Sequence, residues 1–438
     1  MKKVLVLGAG RISRPCIQHL LKEPDLNVVV VDQLLENAQK AIAGHPRGEA
    51  QSLEIQELDP IIKQSDLVIS LLPPFLEREV VEKCITNKTS VIFPNYISPE
   101  IKELSNKIKD AGITVLGEVG LDPGIDHMSA VKIIDQVKDK GGKVLQFGSW
   151  CGGLPAPEAA TEPIRYKFSW SPEGAISASE RPARYTKEGI EISITGNDLM
   201  KNYSLKKVPE CGWFEDYPNS DSLPYVDIYN IPEVKSIYRG TLRYPGWCET
   251  IASLHKMNMF DTRVENVENI PYLDFVLKKI GASKNRNVTL ELADHLGIQE
   301  YSLVIKNIQW LGLLDENTIP FKRASAKDIL ADILLKKMKF EKNERDLVVM
   351  HHEFDVEYQD GNKNHITSTL IEYGYPEGDS AMARTTGLPI AITAKLIVQE
   401  EFKEIGVHLP VDKKLYKPVL RELEELGITL KEKYTIEG

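Results

Sequence analysis

The stretch KVLVLGAGRIS, residues 3–13, joins a short apolar run to a glycine-rich turn. Residues 3–7 are typical of a buried parallel strand, because a short and nearly continuous apolar run suits a strand covered on both faces. RPCIQHLLKE follows, and its Pro15 suits the first turn of a helix. The stretch therefore predicts a strand, a tight turn and a helix in succession.

The same alternation continues to about residue 120. Four further segments predict buried strands: NVVVVD (27–32), DLVISLLP (66–73), TSVIFPN (89–95) and ITVLGEVG (113–120). Helical stretches such as FLEREVVEKCI and SPEIKELSNKIKDA lie between them. This βαβ alternation predicts an α/β protein whose N-terminal domain is a Rossmann-like, doubly wound parallel sheet.

From about residue 143 the pattern changes to aromatic and β-branched strands separated by Gly and Pro turns, such as KVLQFGSW and SIYRGTLRY. We expect a second α/β domain there, with a mixed or antiparallel sheet. LVVMHHEFDVEYQDGNKNHITSTLIEY predicts a hairpin around Asp360, Gly361 and Asn362. A helix over 380–402 is expected to be interrupted near Gly387 and Pro389.

These patterns predict a division into domains. Residues 1–122 form the dinucleotide-binding domain, completed by about 390–438, while 123–261 and 346–389 form the substrate-binding domain. Residues 262–345 form a small helical subdomain, in which Ser325 and Asp328 have the spacing of a capping box.

Composition restricts the partners and the compartment. The 438-residue chain has 54 Lys and Arg against 64 Asp and Glu, a net charge of -10 with no long basic run, so neither nucleic acid nor an anionic membrane is an expected partner. No apolar run reaches the roughly 20 residues of a membrane span. The five cysteines are odd in number and widely spaced, which disfavours a disulfide framework or a thiolate metal site and favours a reducing cytoplasm. We expect no metal.

The turn itself indicates a cofactor. Gly8 and Gly10 begin a GxGxxS pattern, in which the backbone N–H groups of a tight turn approach a pyrophosphate at a helix N-terminus. Asp32 ends the second strand, where a carboxylate accepts the ribose hydroxyls of NAD and repels the 2′-phosphate of NADP, so NAD is the preferred cofactor and NADP the second choice. Further candidates for cofactor contacts are Arg11, Ile12, Leu72 and Pro73.

GLDPGIDH, residues 120–127, places Asp122, Asp126 and His127 where a strand ends. Polar residues at the carboxyl end of a doubly wound strand face the crevice in which ligands bind. The sequence has neither GxSxG nor HExxH, so it gives no support to a hydrolase.

Six segments in the same order, from Gly8 to about Lys395, are the basis of a resemblance to a known family. They are GLDPGIDH, SWCGGLPAPE, YKFSWS, YPNSDSLPY, YRGTLRYPGW and GDSAMARTTGLP. Together they resemble the glutamate-forming saccharopine dehydrogenases, or saccharopine reductases, of lysine metabolism. The resemblance implies NAD(P)-dependent oxidation of saccharopine to glutamate and 2-aminoadipate 6-semialdehyde through an imine, or the reverse condensation, by a homodimer.

The resemblance also implies that Tyr96, Asp122 or Asp126, and Cys151 line the catalytic pocket, with the general base unassigned among them. Each has an ordinary alternative. Asp126 suits a helix N-cap and Asp122 a turn. Cys151 suits a buried small apolar residue, and Tyr96 simple packing.

Saccharopine has three carboxylates, so its site is expected to contain arginine. Arg243 is the first candidate and Arg239 the second, on one face of a strand, although a solvated role for Arg239 is as good an interpretation. Ser220 stands where the family commonly has an arginine. Because of that difference, a related amine dehydrogenase such as carboxynorspermidine dehydrogenase is the second hypothesis. A non-catalytic dinucleotide-binding regulatory protein is the third hypothesis, and the direction of the reaction stays open.

Overall fold

The computed structural model describes residues 1–283 and 287–437. The chain divides into two compact units. The first contains residues 1–144, 227–233 and the chain from Phe354 onward, and the second contains 145–226 and 234–353. The sequence-based boundaries at 122, 261, 345 and 389 stay predictions.

A seven-stranded parallel sheet is the centre of the first unit. Its strands are β1 (Lys2–Leu7), β2 (Leu26–Val31), β3 (Gly48–Gln51), β4 (Leu67–Ser70), β5 (Ser90–Ile92), β6 (Thr114–Leu116) and β17 (Gly406–His408). Their order is β17-β6-β5-β4-β1-β2-β3. Strands β2 and β4 flank β1, so the chain winds outward in both directions from it, which confirms the predicted doubly wound sheet.

Helices cover this sheet. They are α1 (Ser13–Lys22), α2 (Leu35–Ile42), α3 (Asp59–Lys63), α4 (Pro74–Asn87), α5 (Pro99–Glu103), α6 (Ser105–Ala111), α7 (Ile125–Asp139), α15 (Ala381–Val398) and α16 (Lys413–Glu425), with a 3₁₀ turn at Ile55–Glu57. The central strand residues Val4, Leu5 and Val6 have no exposed surface. Such burial on both faces explains why these strands are continuous apolar runs.

Helix α15 corrects the expected interruption near Gly387 and Pro389, because it continues through both. The Thr385 hydroxyl donates to the Ala381 carbonyl at 2.8 Å, one turn before the proline. Among the helices in the described part of the chain, α15 alone is long and apolar enough to span a membrane, but 89% of it is buried within the protein. Pro389 alone would interrupt a helix, but α15 continues because it is packed against other parts of the protein.

The second unit contains a mixed sheet, as predicted. Its strands are β7 (Lys143–Pro155), β8 (Ala183–Lys187), β9 (Ile190–Ile194), β10 (Ser204–Val208), β11 (Gly212–Pro218), β12 (Ser236–Arg243) and β15 (Asp346–Glu357). Strands β10, β11 and β12 are antiparallel neighbours, while β12 pairs in parallel with β7. β8 pairs with both β12 and β9.

Helices account for most of the rest of this unit. They are α8 (Pro172–Ala178), α10 (Trp247–Lys256), α11 (Tyr272–Ile280), α12 (Val288–Leu296), α13 (Leu303–Leu311) and α14 (Ala326–Lys337), with 3₁₀ turns at Pro157–Ala159 and Gly196–Lys201 and a short pair β13 (Glu265–Asn266) and β14 (Arg323–Ala324). The short helix α9 (Tyr225–Ile228) begins in this unit and ends in the segment 227–233 of the first unit. The predicted capping box of Ser325 and Asp328 begins α14.

The predicted hairpin is also present. β15 and β16 (Lys363–Tyr373) flank the turn, in which the N–H of Tyr358 donates to the carbonyl of Asn362 at 2.9 Å. Within the first unit β16 then pairs with β18 (Leu430–Glu437).

Candidate functional site

The glycine turn after β1 has the backbone that a dinucleotide requires. Gly8 has a φ of 96°, and a Cβ there would lie 3.2 Å from the carbonyl oxygen of Leu71, so a side chain would be strained and crowded. A Cβ on Gly10 would meet no atom within 4 Å. This open side of the turn leads directly into the N-terminus of α1, where N–H groups and the helix dipole favour a pyrophosphate.

Ser13 occupies the last position of the pattern, where glycine is usual. Its hydroxyl donates to the Gly10 carbonyl at 2.8 Å and so supports the turn. A glycine elsewhere in the chain, Gly387, lets α15 pack closely on the turn. A Cβ added to Gly387 would lie 2.8 Å from the Ile12 carbonyl oxygen. The sequence did not show that a distant helix packs so closely on the turn.

Asp32 lies beside the same turn. One carboxylate oxygen accepts the N–H of Ala9 at 2.8 Å, and the other accepts the N–H of Leu34 at 2.9 Å and the side-chain amide of Asn37 at 3.2 Å. A carboxylate accepts about four hydrogen bonds, so the capacity to bind a ribose hydroxyl remains. Asp32 is thus both a support of the turn and a candidate ribose ligand.

The other candidate cofactor contacts differ in exposure. Arg11 and Pro73 are exposed, whereas Ile12 and Leu72 are half-buried. A side-chain carbon of Leu72 lies 3.4 Å from the place of a Cβ on Gly8, so the loop after β4 borders the glycine turn.

A buried carboxyl that sequence reasoning missed lies near this loop. Glu77, in the first turn of α4, is 2% exposed and accepts a hydrogen bond from the side chain of Asn95. The Asn95 amide nitrogen is also 3.5 Å from the Leu72 carbonyl oxygen. Burial raises the pKa of Glu77 to about 8, and the Asn95 hydrogen bond opposes that shift only in part. Glu77 is therefore protonated at neutral pH.

Tyr96 and Asp122 meet in the first unit. The Tyr96 hydroxyl donates to the Asp122 carboxylate at 3.3 Å, and both side chains are half-buried. Tyr96 follows β5 and Asp122 follows β6, two neighbouring strands whose carboxyl ends share one edge of the sheet. A phenol next to a carboxylate can hold a proton and pass it on.

Asp126 has a local structural contact. Its carboxylate accepts the N–H of Gly124, two residues earlier, and the residue is 1% exposed. A Cβ on Gly124 would come within 2.0 Å of the Gly120 carbonyl oxygen, so the loop is closed very tightly. Gly124, and not Asp126, is the N-cap of α7, so the carboxylate stabilises the turn from within the helix.

His127, next in sequence, is fully buried with both ring nitrogens engaged. Nε2 lies 2.9 Å from the carboxylate of Glu118, and Nδ1 lies 2.6 Å from the hydroxyl of Tyr229. These contacts fix the start of α7, and through it the loop that carries Asp122.

In the second unit, strand register determines which candidates share a face. Arg239 of β12 is opposite Ser149 of β7, and Thr241 is opposite Cys151. Because alternate residues of a strand point the same way, Cys151, Arg239 and Arg243 lie on one face of the sheet. Cys151 is buried and close enough to interact electrostatically with Arg243.

Arg243 is a buried cation among aromatic rings. It is 3% exposed, and its guanidinium carbon lies 4.9 Å from the ring centre of Tyr166, 5.6 Å from Trp247 and 5.8 Å from Tyr217. One terminal nitrogen donates to the Leu242 carbonyl at 2.8 Å. No residue in the ranges 1–283 and 287–437 pairs with its Nε.

Arg239 is buried as well, which corrects the alternative of a solvated arginine. It is 2% exposed, and its guanidinium carbon lies 4.7 Å from the ring centre of Tyr225. The face on which it lies is covered, so a cation there is held by rings and hydrogen bonds and not by water.

Ser220 has a positive φ of 59° and is half-buried. Its carbonyl accepts the N–H of Arg184 at 3.1 Å, while the side chain of Arg184 forms an ion pair with Asp221. Within the described parts of the chain no group of three or more His, Cys, Asp or Glu residues could hold a metal ion.

Two protein-family models match the sequence of this chain. The NADP binding domain of saccharopine dehydrogenase matches residues 4–116, and the C-terminal domain of saccharopine dehydrogenase matches residues 120–428. The chain belongs to the saccharopine dehydrogenase family. The resemblance stated from the six segments is thereby confirmed.

Two proteins of similar sequence and one solved structure also indicate this family. A Saccharomyces cerevisiae protein named saccharopine dehydrogenase [NADP(+), L-glutamate-forming] is 38% identical, over 99% of each chain. A Bos taurus protein named mitochondrial alpha-aminoadipic semialdehyde synthase is 34% identical over 99% of this chain but only 48% of its own length. The apo structure of the Saccharomyces cerevisiae L-Glu-forming saccharopine dehydrogenase matches with a TM-score of 0.89 at 37% identity, covering 99% of this chain and all of that one.

Proposed function

We propose that the protein is a saccharopine dehydrogenase of the L-glutamate-forming type, an oxidoreductase of lysine metabolism. It oxidises the CH–NH group of saccharopine to give L-glutamate and 2-aminoadipate 6-semialdehyde, or runs the reverse reductive condensation. The names of relatives that match along their full length support this proposal. The observation that carries it is the guanidinium of Arg243, buried without a carboxylate partner in the described chain.

Burial of such a cation requires an anion from elsewhere. A charged group removed from water costs several kcal/mol unless it is paired. Glu215 lies opposite Arg243 in the register of β11 and β12, but its two oxygens accept the N–H groups of Gly246 and Cys248, each at 2.7 Å. A substrate carboxylate completes the environment of Arg243, and saccharopine has three.

The same observation weighs against the sister substrate. The diamine used by a carboxynorspermidine dehydrogenase carries ammonium groups, which a buried guanidinium repels. Ser220, in the place where the resemblance implies an arginine, remains the feature that favours a substrate with fewer carboxylates.

The cofactor is a nicotinamide dinucleotide, held by Gly8, Gly10 and the N-terminus of α1. When bound, the nicotinamide supplies hydride chemistry. The names of the relatives and of the matching family model support NADP. We propose that the carboxylate of Asp32 nevertheless makes NAD the better cofactor of this chain, because it would repel a 2′-phosphate.

Other residues of the chain position groups and hold protons. The Tyr96 hydroxyl donates to a carboxylate oxygen of Asp122, and this pair of titratable groups suits the proton transfers of amine oxidation. Cys151 is placed beside Arg243 and faces the same way. Glu118, His127 and Tyr229 keep the loop before α7 in place.

An absorbance assay of the nicotinamide tests this function. Purified protein is mixed with saccharopine and NAD or NADP, and with glutamate, the semialdehyde and either reduced cofactor. Turnover in both directions, faster with NAD, is expected. Cofactor binding without turnover of saccharopine or of a carboxylated diamine would favour the non-catalytic hypothesis instead.

The homodimer and the cytoplasmic location stay predictions. Light scattering of the purified protein tests the first, and microscopy of a tagged chain tests the second.

A further inference from the structure

Three hydrogen-bond donors in the second unit are buried without an acceptor. They are Nε of Arg243, the hydroxyl of Tyr166 and the indole nitrogen of Trp247, none of which has a partner among the residues that the structure describes. The three residues are 3%, 1% and 3% exposed. An unsatisfied buried donor costs about 1–3 kcal/mol, so three together are costly unless a ligand satisfies them.

The three side chains form one contact group. The rings of Tyr166 and Trp247 are 4.5 Å apart between centres, and both lie within 6 Å of the guanidinium carbon of Arg243, at 4.9 and 5.6 Å. Tyr166 is fixed from its other side by an edge-on contact with Phe168 at 5.3 Å. Trp247 is the first residue of α10, held where β12 ends.

The carboxylate that the strand register places opposite Arg243 is already engaged by backbone N–H groups. Glu215 is 3% exposed and lies across the β11–β12 ladder, but both of its oxygens accept backbone N–H groups at the start of α10. Nε of Arg243 and the indole nitrogen of Trp247 can only donate, and the Tyr166 hydroxyl can donate as well, so the three together are complementary to a group that accepts. A carboxylate accepts about four hydrogen bonds, whereas an ammonium group accepts none.

We propose that Tyr166 and Trp247 donate hydrogen bonds to the same substrate carboxylate as Arg243, and so determine specificity for an acid over an amine at this position. This inference rests on the proposed function, since it deepens the role of Arg243 in substrate binding. Tyr166→Phe leaves the ring and its packing in place and removes one hydrogen bond to a charged group, whereas Trp247→Phe removes the indole donor together with part of a buried ring.

Conservative variants test the proposal. Tyr166→Phe and Trp247→Phe are compared with the wild type in saccharopine oxidation, with Tyr272→Phe and Trp310→Phe as matched controls that lie in the helical part of the same unit. KM for saccharopine is expected to rise about tenfold in each variant, since a hydrogen bond to a charged group contributes roughly 1.5–3 kcal/mol. KM for the cofactor should change little in either variant, and the melting temperature should change little in Tyr166→Phe but fall in Trp247→Phe, where a buried ring becomes smaller. The controls should keep the wild-type KM for saccharopine. An unchanged KM for saccharopine in both variants would overturn the proposal.

A binding measurement separates this outcome from failure of the proposed function. Thermal shift with glutarate and with cadaverine, its diamine counterpart, needs no turnover. Stabilisation of the wild type by glutarate alone, reduced in both variants, would support the carboxylate site even if saccharopine were not a substrate. Equal stabilisation by the two compounds, or a shift by glutarate that both variants keep, would contradict it.

Discussion

The carboxylate of Asp32 accepts the backbone N–H of Ala9 at 2.8 Å, so the residue proposed to select the cofactor also supports the glycine turn that binds it. The two roles predict different effects of different substitutions. Asparagine preserves an oxygen for Ala9 and removes the charge, whereas alanine removes both. The asparagine variant is therefore the sharper test of selectivity.

In Asp32→Asn we expect kcat/KM with NADP, relative to that with NAD, to rise about tenfold, because a charge repulsion of one to a few kcal/mol is lost. Steady-state kinetics with each cofactor measures the ratio. Asp25→Asn, an exposed carboxylate just before β2, is the control. An unchanged ratio in Asp32→Asn would show that this carboxylate does not select the cofactor.

Tyr96→Phe removes the hydroxyl that donates to Asp122. If this pair transfers protons, kcat should fall by roughly 100-fold, with little change in melting temperature. Stopped-flow measurement of hydride transfer checks this, with Tyr301→Phe, whose side chain is 76% exposed, as the control. Wild-type kcat in Tyr96→Phe would assign the tyrosine to packing, the alternative that the sequence left open.

Glu77 predicts a pH dependence of stability. Its pKa is about 8 in the folded protein against an ordinary value of 4.5, so the folded state binds more protons between these values. The stabilising contribution is complete below the ordinary pKa and is lost as pH rises through 8. The free energy of unfolding of Glu77→Gln relative to wild type should therefore increase with pH up to about 8 and then level off.

Urea unfolding at several pH values measures this difference. Glu79→Gln, on the same helix, controls for loss of a surface carboxylate. Parallel pH curves for wild type and Glu77→Gln would mean that the pKa of Glu77 is the same in the folded and unfolded states, and would contradict the raised pKa.

Gly387→Ala tests the packing of α15 on the cofactor turn. The added Cβ would lie 2.8 Å from the Ile12 carbonyl oxygen, so the helix must shift, and we expect a loss of about 1–3 kcal/mol despite the better helix propensity of alanine. Because Ile12 caps α1 at the cofactor turn, Kd for the cofactor should rise as well. Calorimetry and cofactor fluorescence give the two values. A Gly387→Ala variant that is more stable than wild type, with unchanged Kd, would show that the helix adjusts freely.

Ser220→Arg introduces the arginine that the resemblance implies. If saccharopine is the substrate, KM for saccharopine should fall several-fold, because the arginine adds a charge-assisted contact. Ser193→Arg is a control for added surface charge, because Ser193 lies on β9, which pairs with the strand that contains Arg184. A variant that loses turnover would indicate a substrate with one carboxylate fewer.

Local patterns in the sequence predicted the candidate cofactor site well. The strand, turn and helix of residues 2–22, and the position of Asp32, follow from periodicity and turn chemistry, which act over short distances. The packing of Gly387 against Ile12 and the contact between Glu77 and Asn95 did not follow, because they join residues far apart in the chain. Pro389 misled the prediction of a broken helix, since tertiary packing outweighs a local propensity.

The candidate substrate site in the second unit was predicted less completely. Strand alternation put Arg239 and Arg243 on one face, but only the structure shows that both are buried and that Tyr166 and Trp247 surround one of them. Aromatic residues in a strand-rich segment normally indicate core packing, and nothing local distinguishes a ring with an unsatisfied donor.

The stoichiometry of products is the most direct measure of whether the protein oxidises saccharopine to glutamate. Saccharopine is incubated with enzyme and cofactor, and glutamate, semialdehyde and reduced nicotinamide are quantified by mass spectrometry and absorbance. We expect all three to form in equal amounts, and Arg243→Lys to slow their formation at subsaturating saccharopine. Reduced nicotinamide without glutamate, or none of the three despite bound cofactor, would contradict this activity.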